Sequence, residues 1–104
     1  MPDRVEMLKS LLVDDPNNAF ARYGLAMEYL KAGQLDTAVT EFRALIAADQ
    51  DYCAAYYHGG QALERIGDIE AAREMYEQGI SATIRTGDAH TRSEMQAALD
   101  LLPL

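Results

Sequence analysis

The sequence has one cysteine, few basic residues and no long apolar run, and each shortage excludes a class of protein. Because Cys53 is the only cysteine, the chain cannot form an internal disulfide, and a cytoplasmic location is expected. No stretch approaches the roughly 18 apolar residues that a membrane-spanning helix needs. The first six residues also lack the basic and apolar segments of a secretion signal. The sequence therefore predicts a soluble, untargeted protein.

The scarcity of basic residues limits the partners. Nine Lys and Arg stand against 17 Asp and Glu, which gives a formal net charge of -8. This charge repels phosphate backbones and anionic lipid headgroups, so we expect no nucleic acid and no membrane as a partner. Solubility alone is a sufficient reason for such a charge in a small domain. Hydrophobic residues at 49% and a length of 104 residues fit one globular domain.

A repeat of 34 residues organises the middle of the chain. Residues 19–52 align with residues 53–86, and the match extends upstream, where residues 5–15 resemble residues 39–49. Residues 87–102 match only weakly. The six identities are Ala21/Ala55, Tyr23/Tyr57, Gly33/Gly67, Ala38/Ala72, Ile46/Ile80 and Ala48/Ala82. A period of this length predicts a stack of two-helix units.

Turn-forming residues divide the chain into six helical lengths. Gly, Pro, Asn and Asp cluster near residues 16–18, 33–34, 49–51, 67–68 and 87–88. Apolar residues recur at helical spacing between these clusters, and the period of two that is typical of strands is absent. The short loops predict antiparallel neighbours. The predicted helices are 3–14, 18–32, 35–48, 52–66, 69–85 and 88–102.

The same periodicity predicts which side chains form the core. We expect core stripes on the first, third and fifth helices. Gly33 and Gly67 are placed to end helices in the left-handed conformation, and Asp68 is placed to cap the next helix. The predicted stripes are Val5, Leu8, Leu11 and Leu12; Leu35, Ala38, Val39, Phe42, Leu45 and Ile46; and Ile69, Ala72, Met75, Tyr76 and Ile80.

This pattern resembles the tetratricopeptide repeat, a 34-residue helix–turn–helix unit with the signature W-x2-L-G-x2-Y, A-x3-F and P. The resemblance implies an all-α fold of antiparallel helix-turn-helix repeats in a short right-handed solenoid of about six helices. It divides one domain, 1–104, into a half-repeat helix (1–17), repeat 1 (18–51), repeat 2 (52–86) and a C-terminal capping helix (87–104). The matching residues are Leu25, Ala26, Tyr29, Gly33, Ala38 and Phe42 in the first unit and Tyr56, Gly60, Leu63, Gly67, Ala72 and Tyr76 in the second.

Several residues depart from the family signature. Arg22 stands at the position of the first tryptophan, Gly59 replaces a leucine, Gly79 replaces an alanine, and neither full unit ends in proline. A glycine inside a helix is about 1 kcal/mol less favourable than alanine. Gly59 and Gly60 therefore predict either a weak fourth helix or close packing against a neighbour.

The resemblance also implies a binding surface. Arrays of this kind present a concave face lined by the first helix of each unit. Rings and Met side chains on this face offer apolar surface, and Lys31 or Arg65 can pair with a carboxylate, which suits a peptide or a partner helix. Alternatively, Tyr23, Met27 and Tyr57 only pack between adjacent helices. The candidate groove residues are Phe20, Tyr23, Met27, Lys31, Tyr57, His58, Gln61 and Arg65.

Nothing in the sequence indicates catalysis, a metal site or a cofactor. Cys53 and His58 are the only candidate nucleophile and base, and a separation of five residues turns them about 140° apart on a helix. Cys53, His58 and His90 are not spaced i, i+4 from one another, as a zinc site on a helix would require.

We therefore expect a non-enzymatic protein-interaction module, an adaptor or scaffold that binds an unidentified protein or peptide. A structural alternative is self-association, as a homodimer formed through the terminal helices, because the tail 99–104 is unusually apolar. A third and weaker alternative is an accessory domain of an enzyme.

Overall fold

The computed structural model describes residues 3–103, and this part of the chain forms six α-helices and no strand. All six predicted helices are confirmed, each with bounds within two residues of the prediction. The helices are α1 (Arg4–Asp14), α2 (Ala19–Lys31), α3 (Leu35–Ala48), α4 (Cys53–Ile66), α5 (Ile69–Thr86) and α6 (Ala89–Asp100).

The helices stack in chain order. Each packs against the next one along the chain, and α4 also contacts α2 and α6, which are the corresponding helices of the neighbouring units. The Cα trace measures 44 × 29 × 19 Å, as expected for layers added along one direction. The predicted all-α repeat solenoid is confirmed. Within residues 3–103, no helix combines the length and the apolar content needed to cross a membrane.

The helix ends have the predicted caps. Gly33 (φ 80°) and Gly67 (φ 97°) adopt the left-handed conformation that ends α2 and α4. The carboxylate of Asp68 accepts a hydrogen bond from the Ala71 amide at 3.1 Å and so begins α5. Asn18 begins α2 in the same way, by accepting from the Ala21 amide at 3.0 Å.

The core runs from α2 to α6 and follows the predicted stripes with one correction. The largest fully buried side chains are Tyr76, Phe42, Leu45, Met95 and Thr83. A smaller cluster of Leu8, Ala21 and Leu25 joins α1 to α2. Leu11 was predicted to be in the core, but 46% of it is exposed. This prediction was wrong because, among the described helices, α1 has only α2 to pack against.

The partly covered members of the stripes lie at their margins. Leu8 of the first stripe is buried, and the flanking residues Val5 and Leu12 are half-buried. The half-buried residues of the other two stripes are Leu35, Ile46, Ile69 and Ile80.

The departures from the repeat signature have structural reasons. Gly79 is buried, and a Cβ there would lie 2.5 Å from the Cβ of Tyr56, so α5 has no room for a side chain at this contact with α4. Gly59 and Gly60 are also buried, which favours close packing over a weak helix. Arg22 pairs with Glu41 of α3 at 2.8 Å and donates to the Pro16 carbonyl at 3.2 Å. It thereby links α2 to α3 and to the preceding turn.

Candidate binding groove

A groove of about 470 Å³ lies between the start of α1, one face of α2 and the end of α4. We call it the α2 groove. Five of the eight candidate residues line it: Phe20, Tyr23, Met27, Lys31 and Arg65. The sequence did not point to its other lining residues, which are Arg4, Gly24, Glu28 and Leu30.

The apolar wall of the groove comes from one face of α2. Phe20, Tyr23 and Met27 follow one another at spacings of three and four residues, which places them on the same side of a helix. Phe20 is 69% exposed, an unusual position for a large ring in a chain of this size. The wall therefore offers an aromatic side chain that nothing in the described part of the chain covers.

The rim of the groove is positively charged. The carboxylate of Glu28 pairs with the Arg4 guanidinium at 2.9 Å and lies 3.7 Å from the Lys31 ammonium. Arg65 makes no ion pair with any residue between 3 and 103. Three cations thus face one carboxylate in a chain whose net charge is -8. Apolar ligands with a nearby negative charge suit this surface.

Tyr23 forms both the wall of the groove and the packing behind it. Its ring centroid lies 5.2 Å from that of Tyr52, 6.0 Å from that of His58 and 6.4 Å from that of Phe42. Burial, and secondarily the neighbouring Tyr52, raises the pKa of Tyr23, so its hydroxyl stays protonated. These contacts hold the ring in place, and the groove has a preformed wall.

Tyr57 and His58 do not line the α2 groove. Tyr57 is half-buried against the core, with its ring centroid 5.2 Å from that of His58. His58 stacks on Phe42 at 6.3 Å, and its Nδ1 lies 3.1 Å from Oε1 of Gln61. Burial lowers the pKa of His58 because the charged imidazolium is poorly solvated there. The His58 ring therefore packs against rings of α2 and α3, and Tyr57 lies at the margin of the core.

Gln61 lines a second, smaller cavity beside the groove. This cavity, of about 380 Å³, is bounded by Leu30, Gln61, Glu64 and Arg65. Leu30 and Arg65 border both cavities. The accessible surface therefore continues from α2 toward the end of α4.

Of the four missed residues, Gly24 is explained by the repeat register, and Arg4 and Glu28 by packing. Gly24 corresponds to His58 34 residues later. At this position α2 therefore has no side chain, whereas α4 carries an imidazole. A Cβ on Gly24 would lie 3.3 Å from the methyl carbons of Leu8. Arg4 and Glu28 come together only because α1 packs on α2, which the order of residues in one helix does not reveal.

The residues considered for catalysis have other partners. Cys53 is buried, and its sulfur lies 3.4 Å from the Thr86 hydroxyl and 3.5 Å from the Asp51 carbonyl oxygen. His58 instead contacts Gln61 and aromatic rings, as described above. No group of three or more His, Cys, Asp or Glu side chains among residues 3–103 is arranged to hold a metal ion.

Comparisons with known proteins agree with this fold. A family model described as Tetratricopeptide repeat matches residues 5–64, and a second with the same description matches residues 54–83. A TPR repeat-containing protein of Pseudomonas aeruginosa is 32% identical over 95 residues, which are 91% of this chain and 90% of that protein.

Two solved structures are also similar. A tetratricopeptide repeat domain protein from Salinibacter ruber is 38% identical, with a TM-score of 0.76. The match covers 82% of this chain and 86% of the Salinibacter chain. A protein from Bordetella parapertussis is 30% identical, with a TM-score of 0.83. The match covers 96% of this chain and 87% of the Bordetella chain. Because the first family model spans more than half of the sequence and the Pseudomonas relative matches nearly all of it, the chain belongs to the tetratricopeptide repeat family.

Proposed function

We propose that this chain is an adaptor or scaffold module that binds a peptide or a partner helix in the α2 groove. The family and its fold support a protein-interaction role in general. In this proposal residues 18–51 and 52–86 are the two full repeats, preceded by the half-repeat 1–17 and followed by the capping helix 87–104. We also propose a cytoplasmic location, which the single buried cysteine favours.

The observation that carries the proposal is the exposed ring of Phe20 beside a cationic rim. An exposed aromatic side chain at the wall of a groove is the kind of residue that dominates binding energy when a partner covers it. Lys31 and Arg65 can then pair with a carboxylate near the apolar anchor of the ligand. We therefore expect a ligand with at least one apolar side chain and one acidic group a few residues away.

The test is a selection of peptides from a random display library against the whole chain, followed by affinity measurement on variants. Phe20→Ser removes the exposed ring without disturbing the core, whereas Tyr23 and Tyr57 are half-buried and their loss would also affect folding. The matched control is Ile84→Ser, because Ile84 is 63% exposed on α5 and does not line the groove.

We expect Phe20→Ser to weaken binding at least about tenfold, as the loss of one anchoring side chain commonly does. Ile84→Ser should leave affinity within about twofold. Amide chemical shifts that move on binding should include those of residues 20, 27 and 31. Selected peptides that bind Phe20→Ser and the unchanged protein equally would contradict the groove assignment.

A further inference from the structure

A second apolar surface lies on α1, away from the α2 groove. Met7 is 57% exposed and Leu11 46%, and both border a cavity of about 540 Å³. Its other lining residues are Glu6, Ser10 and Asp14. We call these five residues the α1 face.

The 34-residue register shows what covers the position of Leu11 in the complete units. The equivalent residues are Leu45 in α3 and Gly79 in α5, and both are buried. Gly79 lies against Tyr56 of α4, the helix that precedes α5, and against Met95 of α6, the helix that follows it. This position is therefore covered from both sides, and one of the two covering helices is the preceding one.

The position of Met7 behaves in the same way. Its equivalent in α3 is Glu41, which pairs with Arg22 of the preceding helix α2 at 2.8 Å. Its equivalent in α5 is Met75, 3% exposed, whose methyl group would lie 3.4 Å from a Cβ on Gly59 of α4. In both complete units a helix covers this face. In the described part of the chain no helix precedes α1, and the α1 face is open.

A second copy of the chain is a poor occupant for two reasons. The α6 helix, which in the repeat register is the one able to continue the array, exposes mainly small, polar and charged side chains, including His90, Arg92 and Gln96. Its exposed apolar residues are only Ala89 and Ala97, so it offers no apolar stripe to Met7 and Leu11. Pairing of two α1 faces would bring Glu6 and Asp14 of both copies together, and like charges at an interface are unfavourable. No Lys or Arg lines the α1 face.

We propose that the α1 face binds a cationic amphipathic helix of a partner protein. The register indicates that a helix covers such a face, and the carboxylates of Glu6 and Asp14 favour Lys or Arg on that helix. Met7 and Leu11 provide the apolar contact, and Met adapts to partners of different shape. This proposal does not depend on the α2 groove.

Arg4 restricts where the partner helix lies. The equivalents of Arg4 in the complete units are Ala38 and Ala72, which are fully buried. Arg4 instead carries a long side chain that pairs with Glu28. The partner helix therefore packs on the part of α1 from Glu6 onward and is not an ordinary additional repeat.

The test uses two labelled synthetic helices of about 18 residues, or five turns, with the same leucine stripe. One carries Lys and the other Glu at its polar positions, and binding to the whole chain is followed by fluorescence anisotropy. We expect the Lys peptide to bind and the Glu peptide to bind at least about tenfold more weakly, with the difference shrinking as salt rises.

Variants distinguish a specific site from attraction to the overall negative charge. Met7→Ser combined with Leu11→Ser should weaken the Lys peptide about tenfold or more, since it removes the apolar contact. Glu6→Gln with Asp14→Asn should weaken it several-fold. The matched control is Glu70→Gln with Glu74→Gln on the exposed side of α5, which changes the net charge equally and should leave affinity within about twofold.

Three results would overturn the proposal. The first is binding of the Lys peptide that survives loss of Met7 and Leu11, and the second is an equal loss in the α5 control. The third is a dimer in sedimentation equilibrium that Met7→Ser with Leu11→Ser dissociates, because a second copy would then be the occupant. The Phe20→Ser variant should bind the Lys peptide as the unchanged protein does. The α1-face proposal and the α2-groove proposal can therefore fail independently of each other.

Discussion

The ring of Tyr76 lies against Gly60, so close that a Cβ on Gly60 would come within 2.6 Å of Tyr76 Cζ. Tyr76 is fully buried, and its hydroxyl donates a hydrogen bond to the Glu64 carboxylate on the same helix as Gly60. Burial, followed by the Glu64 carboxylate, strongly raises the pKa of Tyr76, which keeps the hydroxyl a donor. The ring is thus fixed at both ends, and only glycine fits opposite it.

We predict that Gly60→Ala destabilises the fold. Alanine would improve helix propensity by about 1 kcal/mol, but overpacking against a fixed ring costs about 1–3 kcal/mol or more. The net loss should be about 1–2 kcal/mol in urea unfolding. Gly59→Ala is the matched control, because its Cβ would meet the flexible Met75 methyl at 3.4 Å. It should be neutral or stabilising, and equal losses for both variants would contradict this account.

We predict that His58 makes stability fall in mild acid. Its pKa is lowered in the folded state mainly by burial, so the unfolded chain takes up the proton first. The neutral His58 contributes its full share of stability above pH 6.5, the ordinary pKa of histidine. This stability is lost as the pH falls from 6.5 through the lowered pKa of the folded state. The slope for one proton is at most about 1.4 kcal/mol per pH unit.

Urea unfolding between pH 7.5 and pH 5 measures this effect. His58→Gln removes the titrating group and should flatten the profile over that range. His90→Gln is the control, because the His90 side chain is 87% exposed and lies on α6. A His58→Gln profile as steep as that of the unchanged protein would show that another group is responsible.

We predict that the Arg22–Glu41 pair stabilises the junction of α2 and α3. The pair is largely shielded from water, with side-chain exposures of 25% and 20%, so solvent screens it less than a surface ion pair. A double-mutant cycle with Arg22→Ala and Glu41→Ala should give a coupling of about 1 kcal/mol. The exposed Arg85–Asp51 pair is the comparison and should give about 0.5 kcal/mol or less. A smaller coupling for Arg22–Glu41 than for Arg85–Asp51 would be the contrary result.

The helices were predictable because their signals are local. Gly67 and Asp68 end one helix and begin the next through contacts within a few residues, and these contacts can be inferred from the order of the chain. The exposure of Leu11 was not predictable in this way. Leu11 and Leu45 hold the same place in the register, and only the presence of a preceding helix decides which is buried.

The candidate groove shows the same limit. Tyr23 and Tyr57 are equivalent in the repeat, yet Tyr23 lines the α2 groove and Tyr57 does not. The difference arises because α4 has a corresponding helix on each side, α2 and α6. Among the helices formed by residues 3–103, α2 has one only on the α4 side. Periodicity identifies the face of a helix, and the neighbours of that helix determine whether the face is open.

The final prediction concerns the apolar tail after α6. Leu102 is 6% exposed and belongs to the main core, and the Arg73 guanidinium donates to the Pro103 carbonyl at 2.6 Å. Its neighbour Leu101 is 84% exposed. Leu102→Ala should therefore destabilise the fold by about 2 kcal/mol, at the low end for a buried leucine because the site is near the chain end.

Leu101→Ala is the matched control and should change the free energy of unfolding by less than about 0.5 kcal/mol. The same pair tests self-association through the terminal helices, since Leu101 is the exposed leucine among the described residues of the tail, 99–103. If light scattering shows a dimer that Leu101→Ala dissociates, the tail has an intermolecular role. A monomer for both variants, together with a stability loss confined to Leu102→Ala, would assign the tail to the closure of the core under α6.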